Sequence, residues 1–67
     1  MTLLTQREAA LHLRLSERTL ERWRVAGIGP RFIRLPRRTI RYPRQHLDAY
    51  LASRVRAATS EGEEVVR

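Results

Sequence analysis

The chain has 67 residues, no cysteine, and 14 arginines against seven acidic residues, which gives a net charge of +7. This length makes one small domain, whose single core provides only marginal stability. The absence of cysteine excludes a disulfide framework and a thiolate zinc site, and two histidines make a metal site unexpected. No apolar run approaches the ~20 residues that span a bilayer and no signal peptide opens the chain, so we expect a cytoplasmic protein.

The positive charge is concentrated before the last ten residues. Residues 1–57 contain 13 arginines and four acids, or +9, whereas residues 58–67 contain one arginine and three acids, or −2. Residues 22–47 contain eight arginines and no acid. Because such a density of like charge repels itself in a folded chain, a polyanionic partner is the natural explanation. A solvated basic surface, or the arginine bias of a GC-rich genome, is the alternative, but it leaves the missing acids unexplained.

The first predicted helix spans residues 6–13. Thr5 and Glu8 have the spacing of a capping box, and Leu4 precedes them in the position of a hydrophobic staple. The apolar face of this helix consists of Ala9, Ala10 and Leu13. The small alanine side chains allow a neighbouring helix to approach closely.

The second predicted helix follows a turn at Arg14 and Leu15 and runs to about Ala26. Ser16 is the expected N-cap of this helix, and Gly27 is the expected residue just beyond its C-terminus. Its buried stripe consists of Leu20 and Trp23. Two short helices joined by a tight turn, the second with a basic outer face, have the geometry that fits a DNA major groove.

Beyond a Gly-Pro pair the apolar period changes to two, which predicts a β-hairpin, the wing. Its strands are residues 32–35 and 39–42, and residues 36–38, Pro-Arg-Arg, form the tip. The face that we expect to be buried consists of Ile33, Leu35, Ile40 and Tyr42. Arg34 and Arg41 are then expected on the outer face. Since two strands alone are marginally stable, the hairpin must pack on the helices.

A third helix is predicted from Pro43, which suits the first helical turn because it lacks an N–H, to about Ala57. Its stripe consists of Leu47, Tyr50, Leu51 and Arg54. Residues 58–67 have no pattern that could be buried and are predicted to form an acidic, disordered tail. The predicted fold class is mainly α with a small β-hairpin. It is a winged helix-turn-helix in the order helix, helix, hairpin, helix, and the DNA-binding domain spans residues 1–57.

The outer face of the second helix is expected to enter the major groove. At ~100° of rotation per residue, Arg18 and Arg22 project outward one turn apart, and Thr19 lies at the edge of their face. An arginine paired with a guanine discriminates between bases by ~1–3 kcal/mol, and threonine can contact a phosphate or a thymine methyl. The alternative for the two arginines is surface pairing with Glu17 or Glu21.

The other arginines are expected to contact the wing-side groove and the DNA backbone. Arg37 and Arg38, on a tip held by Pro36, match basic arms that enter a narrow minor groove, with plain phosphate contact as the alternative. Contacts with phosphates position a protein on DNA but do not read its sequence. The arginines that we assign to such contacts are Arg24, Arg31, Arg34, Arg41 and Arg44. His12 and His46 have no catalytic partner at a recognisable spacing. With no nucleophile–base pair, metal set or phosphate loop, neither an enzyme nor a cofactor is expected.

Three segments carry a resemblance to a known family: E-A-A-x-x-L from Glu8, S-x-R-T-L-x-R-W from Ser16, and L-D-A-Y-L from Leu47. Over roughly residues 3–54 the chain resembles the excisionase-type, MerR-like winged helix-turn-helix domains. By position, the resemblance implies that Arg18, Thr19 and Arg22 lie on the family's major-groove helix. It likewise implies that the wing carries Arg37, Arg38 and Arg41. Many relatives have glycine at the wing tip where this chain has Pro36, so the turn conformation is open.

The resemblance implies a narrower role than DNA binding. Small members are often excisionases, or recombination directionality factors, which bind adjacent sites in an attachment region, bend the DNA and direct an integrase toward excision of a mobile element. We therefore expect sequence-specific binding of double-stranded DNA in that role, with a stand-alone transcription regulator of a phage, plasmid or integrative element as the alternative. A third hypothesis is a protein-interaction or antitoxin-like module whose basic face meets an acidic protein.

The expected partners are double-stranded DNA, a site-specific integrase, and further copies of the chain bound side by side on DNA. The contact between copies is hypothesised to join the acidic residues Glu61, Glu63 and Glu64 to a neighbour's basic wing, with a solvated tail as the alternative. No membrane partner is expected.

Overall fold

The computed structural model describes residues 1–55 of the chain. Its elements in order are β1 (Leu3–Leu4), α1 (Gln6–Leu13), α2 (Glu17–Ala26), β2 (Ile33–Leu35), β3 (Thr39–Pro43) and α3 (Arg44–Arg54). This architecture confirms the winged helix-turn-helix predicted from the sequence. The third helix ends at Arg54 and not at Ala57 as predicted, because the backbone of Val55 is extended. The predicted tail at residues 58–67 lies outside the described residues.

Helix α1 begins at a capping box, as predicted. The Glu8 N–H donates a hydrogen bond to Thr5 Oγ1 at 3.1 Å, and the Thr5 N–H donates to Glu8 Oε1 at 2.9 Å. These reciprocal bonds satisfy two backbone donors that have no partner within the helix. The face beyond the cap buries Ala9 and Ala10 completely, which brings α1 against its neighbours.

The turn between the helices lies at Arg14 and Leu15, where the sequence predicts it. The Arg14 N–H donates to the Leu11 carbonyl at 3.0 Å, and the Leu15 N–H donates to the Ala10 carbonyl at 2.8 Å, the bond pattern of a Schellman motif. Arg14 has a φ of 59°, in the left-handed region. Glycine is the usual residue at this position, and any other L-residue there is strained by about 1–2 kcal/mol.

Helix α2 has both predicted ends. Ser16 Oγ accepts a hydrogen bond from the Thr19 N–H at 3.1 Å, which caps the N-terminus. At the other end Gly27 has a φ of 79°, and its N–H donates to the Arg24 carbonyl at 3.1 Å. Residue types with known cap preferences therefore determine the length of this helix.

The sheet contains a strand that the sequence does not predict. Strand β1 pairs antiparallel with β3, with Leu3 opposite Pro43 and Leu4 opposite Tyr42, so the order of strands is β1-β3-β2. Two residues are too few to show an alternating pattern. The pairing joins the start of the chain to the base of the wing and packs Leu4 against the core. Pro43 ends β3 and is the N-cap of α3 rather than its first helical residue.

The register of the hairpin contradicts the predicted faces. The paired residues are Ile33 with Arg41, Arg34 with Ile40, and Leu35 with Thr39. Side chains directly opposite each other project from the same face of a sheet. The prediction that Ile33 and Leu35 share a buried face with Ile40 and Tyr42 is therefore wrong. The turn of three residues places Leu35 opposite Thr39. This one-residue offset from the expected pairing moves the side chains of one strand to the opposite face of the hairpin.

The two faces of the wing consequently differ from expectation. Ile40 packs against the core and Tyr42 is buried, and Arg34, which is exposed, projects from the same face of the hairpin as these two residues. Arg41 lies on the other face, where Leu35 is 37% exposed. The two arginines predicted to share the outer face thus lie on opposite sides of the hairpin.

The core is small and joins all the layers. Its buried residues are Ala9, Ala10, Leu20, Tyr42 and Leu47. The partly buried residues packed around it are Leu4, Leu13, Trp23, Phe32 and Ile40. The inward orientation predicted for Leu20 and Trp23 is confirmed. A core of this size is consistent with the marginal stability expected of so short a chain.

Tyr42 carries an unusual buried group, because its hydroxyl has no hydrogen-bond partner among the described residues. Burial raises the pKa of the Tyr42 hydroxyl, and the positive charge of Arg24 partly opposes the rise. Above about pH 10 an unfolded tyrosine loses its proton while the folded Tyr42 keeps it, so stability must fall as the pH rises.

We expect Tyr42→Phe to leave the free energy of unfolding at pH 7 unchanged or up to about 1 kcal/mol higher, because an unpartnered hydroxyl is removed. The variant should also lose the Tyr42 contribution to the fall in stability above pH 10. Urea unfolding at pH 7 to 11 measures both effects, with Tyr50→Phe as the control that retains the fall. An equal alkaline decline in Tyr42→Phe and the wild type would contradict the assignment.

Candidate nucleic-acid interface

One face of α2 is exposed along its whole length. Arg18, Arg22 and Val25 follow one another at helical spacing on this exposed face, and Leu20 faces the core at 1% exposure. Within residues 1–55 a single arginine forms an ion pair with an acidic side chain: Arg44 lies 3.9 Å from Asp48. Arg18 and Arg22 therefore do not form the alternative ion pairs with Glu17 or Glu21.

Thr19 is tied to the cap of the same helix. Besides its N–H bond to Ser16 Oγ, its Oγ1 accepts a hydrogen bond from the Ser16 hydroxyl at 2.9 Å. The side chain is half-buried, at the edge of the exposed face where the sequence places it.

The tip of the wing, residues 36–38, has a strained backbone. Arg37 and Arg38 have φ values of 64° and 59°, in the left-handed region that L-residues other than asparagine and aspartate rarely adopt. The Thr39 N–H donates to the Pro36 carbonyl at 3.4 Å across them. Glycine, asparagine and aspartate are the usual residues here, and arginine is strained by about 1–2 kcal/mol at each position. The tip therefore presents two adjacent exposed guanidinium groups at a cost in stability.

A cleft of about 590 Å³ lies between α2 and the wing. This basic cleft is lined by Arg24, Val25, Arg34, Arg38 and Ile40. Val25 belongs to the exposed stripe of α2, and Arg38 belongs to the tip. The cleft therefore connects the face of the helix with the tip of the wing in one continuous basic surface.

The arrangement of two capped helices, a tight turn and a basic wing has a counterpart among known proteins. The helix-turn-helix domain family matches residues 3–55 of the chain. The chain belongs to this family. Against curated proteins the chain has no significant match. Helix-turn-helix domains are typically DNA-binding modules and not enzymes, so membership indicates binding to double-stranded DNA.

The helix-turn-helix domain holds Arg24 in a defined position. Arg24 is half-buried, and its Nη1 donates a hydrogen bond to Gln6 Oε1 at 3.0 Å. The Cζ atom of Arg24 lies 6.0 Å from the centroid of the Phe32 ring, and that of Arg34 lies 5.9 Å from the same centroid. Two arginines assigned to phosphates by sequence thus converge on one aromatic ring.

The other predicted phosphate contacts are dispersed over the domain. Arg41 is half-buried on the opposite face of the wing, and its Nη1 donates to the Ile40 carbonyl at 2.8 Å. Arg44 is exposed at the start of α3, and Arg31 is exposed in the loop before β2. The nine arginines and one threonine singled out from the sequence therefore do not form a single cluster. Three of these residues lie together because they line the basic cleft: Arg24, Arg34 and Arg38.

The sequence does not reveal a polar contact that joins α1 to α3. His12 Nε2 and Asp48 Oδ1 are hydrogen-bonded at 2.9 Å, although the residues are 36 apart in the chain. Nothing in the local sequence signals such a pair. Within residues 1–55 no group of three or more His, Cys, Asp or Glu side chains is placed to hold a metal ion. None of the described helices is long and apolar enough to cross a membrane.

Proposed function

We propose that the domain binds double-stranded DNA sequence-specifically, with α2 in the major groove and the wing tip at the adjacent minor groove. The observation that supports this proposal is the continuity of the exposed stripe of α2, through Val25 and the basic cleft, with Arg38 at the tip. A helix fits the major groove, and basic side chains on a protruding turn fit a narrow minor groove. The lack of acidic residues between Arg22 and Leu47 supports the same partner.

Within this proposal the arginines have different tasks. Arg18, Arg22 and Thr19 contact base edges in the major groove, and Arg37 and Arg38 enter the minor groove. The arginines that contact phosphates at the margins are Arg24, Arg31, Arg34, Arg41 and Arg44. Contacts of the first kind determine sequence preference, whereas contacts of the last kind determine register and total affinity.

The cellular role that we propose is that of an excisionase, which bends attachment-site DNA and directs an integrase toward excision of a mobile element. It is supported by the resemblance of the chain to excisionase-type domains and by an interface that reaches two grooves. Footprinting on the element's attachment region tests it. Several adjacent, helically phased sites, together with stimulated excision by the integrase, are expected. A single palindromic promoter operator would instead identify a transcription regulator.

The division of tasks is tested by comparing Arg22→Ala with Arg34→Ala. On a site selected from random duplexes, Arg22→Ala should reduce discrimination at one base pair by about 1–2 kcal/mol. Arg34→Ala should weaken binding to all sequences alike and lower the slope of log K against log [salt] by about one. Fluorescence anisotropy on the selected site and its single-base variants, at several salt concentrations, measures both quantities.

Arg54→Ala provides a control of equal charge for these two variants. Arg54 is exposed at the end of α3 and has no assigned contact with DNA, so its loss should leave the base preference and the salt slope nearly unchanged. Identical effects of Arg22→Ala and Arg34→Ala at every base pair would contradict the proposed division.

A further inference from the structure

We propose that the basic cleft is a preformed site for a single DNA phosphodiester, in which Arg24 and Arg34 contact the phosphate and Gln6 and Phe32 are positioning residues. This site rests on the proposed DNA binding. It adds two uncharged residues, Gln6 and Phe32, to the arginines of the DNA interface. A helix in the major groove and a wing in the adjacent minor groove lie on either side of one sugar–phosphate backbone. That backbone must therefore pass through the space between them.

Gln6 fixes Arg24 without neutralising it. The amide Oε1 of Gln6 accepts the hydrogen bond of Arg24 at 3.0 Å, where a carboxylate in the same place would form an ion pair. The guanidinium loses rotational freedom and keeps its full charge for a ligand. Because Gln6 is the first residue of α1 and Arg24 is near the end of α2, the bond also links the two helices.

Phe32 holds two like charges near each other. The guanidinium groups of Arg24, from α2, and Arg34, from β2, lie 6.0 Å and 5.9 Å from the centroid of its ring. The negative face of an aromatic ring attracts each cation, which offsets part of their mutual repulsion. Neither arginine forms an ion pair with a carboxylate within residues 1–55. An anion bound between them would complete the arrangement.

The walls of the cleft suit a phosphodiester. Val25 and Ile40 provide apolar surface, and Arg38 contributes a third positive charge from the wing tip. A volume of about 590 Å³ is far larger than a single water molecule and is sufficient for a phosphate with its flanking sugars. Partial exclusion of water by the apolar walls strengthens the attraction between the guanidinium groups and the phosphate.

The experiment uses duplexes of the selected site in which one phosphate at a time is replaced by a neutral methylphosphonate. For the wild-type chain we expect the replacement to lower affinity by roughly 5- to 10-fold at each contacted phosphate, one of which lies between α2 and the wing. For Arg24→Gln the replacement at this phosphate should have a much smaller effect than in the wild type, because only Arg34 still contacts it. This loss of coupling at one position identifies the phosphate that Arg24 contacts.

Substitutions of Gln6 separate positioning from simple structural support. In Gln6→Ala the methylphosphonate at that position should cause a smaller loss of affinity, because Arg24 becomes mobile. The logarithm of the fold-loss should be about half of the wild-type value. Gln6→Glu should bind DNA more weakly than Gln6→Ala although it pairs with Arg24, because the carboxylate neutralises the guanidinium. Gln45→Ala, an exposed glutamine in α3, is the matched control and should retain the full effect. Phe32→Tyr, which keeps the ring, should also retain it.

The outcomes are distinct for the two proposals. Specific binding by the wild type with the same methylphosphonate loss in Arg24→Gln would overturn the phosphate site and leave the proposed function intact. Equal or tighter DNA binding by Gln6→Glu than by Gln6→Ala would overturn the positioning role of Gln6. No binding of the wild type to any duplex would overturn both proposals. Circular dichroism of each variant shows whether it is folded before its affinity is compared.

Discussion

Gly29→Ala is expected to lower the free energy of unfolding by about 3 kcal/mol, which combines backbone strain and overpacking. Gly29 has a φ of +92°, which L-residues rarely adopt. A Cβ at this position would lie 3.0 Å from Trp23 Cε3 and 3.4 Å from Trp23 Cβ. The Trp23 ring contacts Tyr50, with 6.2 Å between the ring centroids, so it has little freedom to retreat.

Gly27→Ala is the matched control for this effect. Gly27 also has a positive φ, +79°, but a Cβ there would meet no atom within 4 Å. Its substitution should therefore cost only the backbone strain, about 1 kcal/mol. Urea unfolding followed by the fluorescence of Trp23, the single tryptophan, measures both variants. Equal losses in the two variants would show that the contact between Gly29 and Trp23 does not constrain the fold.

The loss at Gly29 should be large relative to the total stability. A domain of this size has roughly 3–5 kcal/mol in all, so Gly29→Ala is expected to be largely unfolded at 37 °C. DNA binding should then recover when the temperature is lowered or when specific DNA is in excess, because a ligand that binds the folded state stabilises it. The contact between Gly29, in the loop after α2, and Trp23 thus helps to fix the position of α2 on the core.

The features that the sequence predicts correctly depend on residues close together in the chain. The capping box of Thr5 and Glu8, the cap at Ser16 and the end of α2 at Gly27 are each formed by bonds over three or four residues. Hydrophobic spacing likewise places Leu20 in the core. Each of these features is determined by local hydrogen bonding and helical period, which are present in the sequence itself.

The features that the sequence misses depend on distant pairing. The face of Arg34 follows from one residue of register across the hairpin, and the alternation of apolar residues alone does not determine that register. The bonds of Gln6 to Arg24 and of His12 to Asp48 join different helices over 18 and 36 residues. The basic cleft therefore emerges only when the wing packs against α2, although each of its arginines is evident in the sequence.

The second large effect is expected at the wing tip, where Arg37→Asn combined with Arg38→Gly should change stability and binding in opposite directions. Asparagine and glycine adopt a positive φ with less strain than arginine does, so their introduction at these two positions should raise the free energy of unfolding by about 1–2 kcal/mol. DNA affinity at ~0.15 M salt should fall roughly 30-fold, since each positive charge lost from the minor groove removes about 1 kcal/mol of counterion-release free energy. The salt slope should fall by about two.

Arg14→Gly is the control for the backbone term. Arg14 has a φ of 59°, the same as Arg38, but it lies in the turn between α1 and α2 and has no assigned contact with DNA. It should gain about 1 kcal/mol of stability without the loss of affinity. Thermal unfolding and anisotropy titrations at three salt concentrations measure both properties for each variant. Unchanged DNA affinity in the wing variant would exclude the tip from the interface.

The opposite signs are the decisive part of the wing experiment. A variant that binds less because it is less folded loses stability and affinity together, whereas here the weaker binder is expected to be the more stable protein. That combination would show that the strain at Arg37 and Arg38 is retained for what their side chains contact. Arg37→Lys with Arg38→Lys, which keeps both charge and strain, should restore most of the salt slope. It should not show the gain in stability, because the tip still has no asparagine or glycine at its positive φ positions.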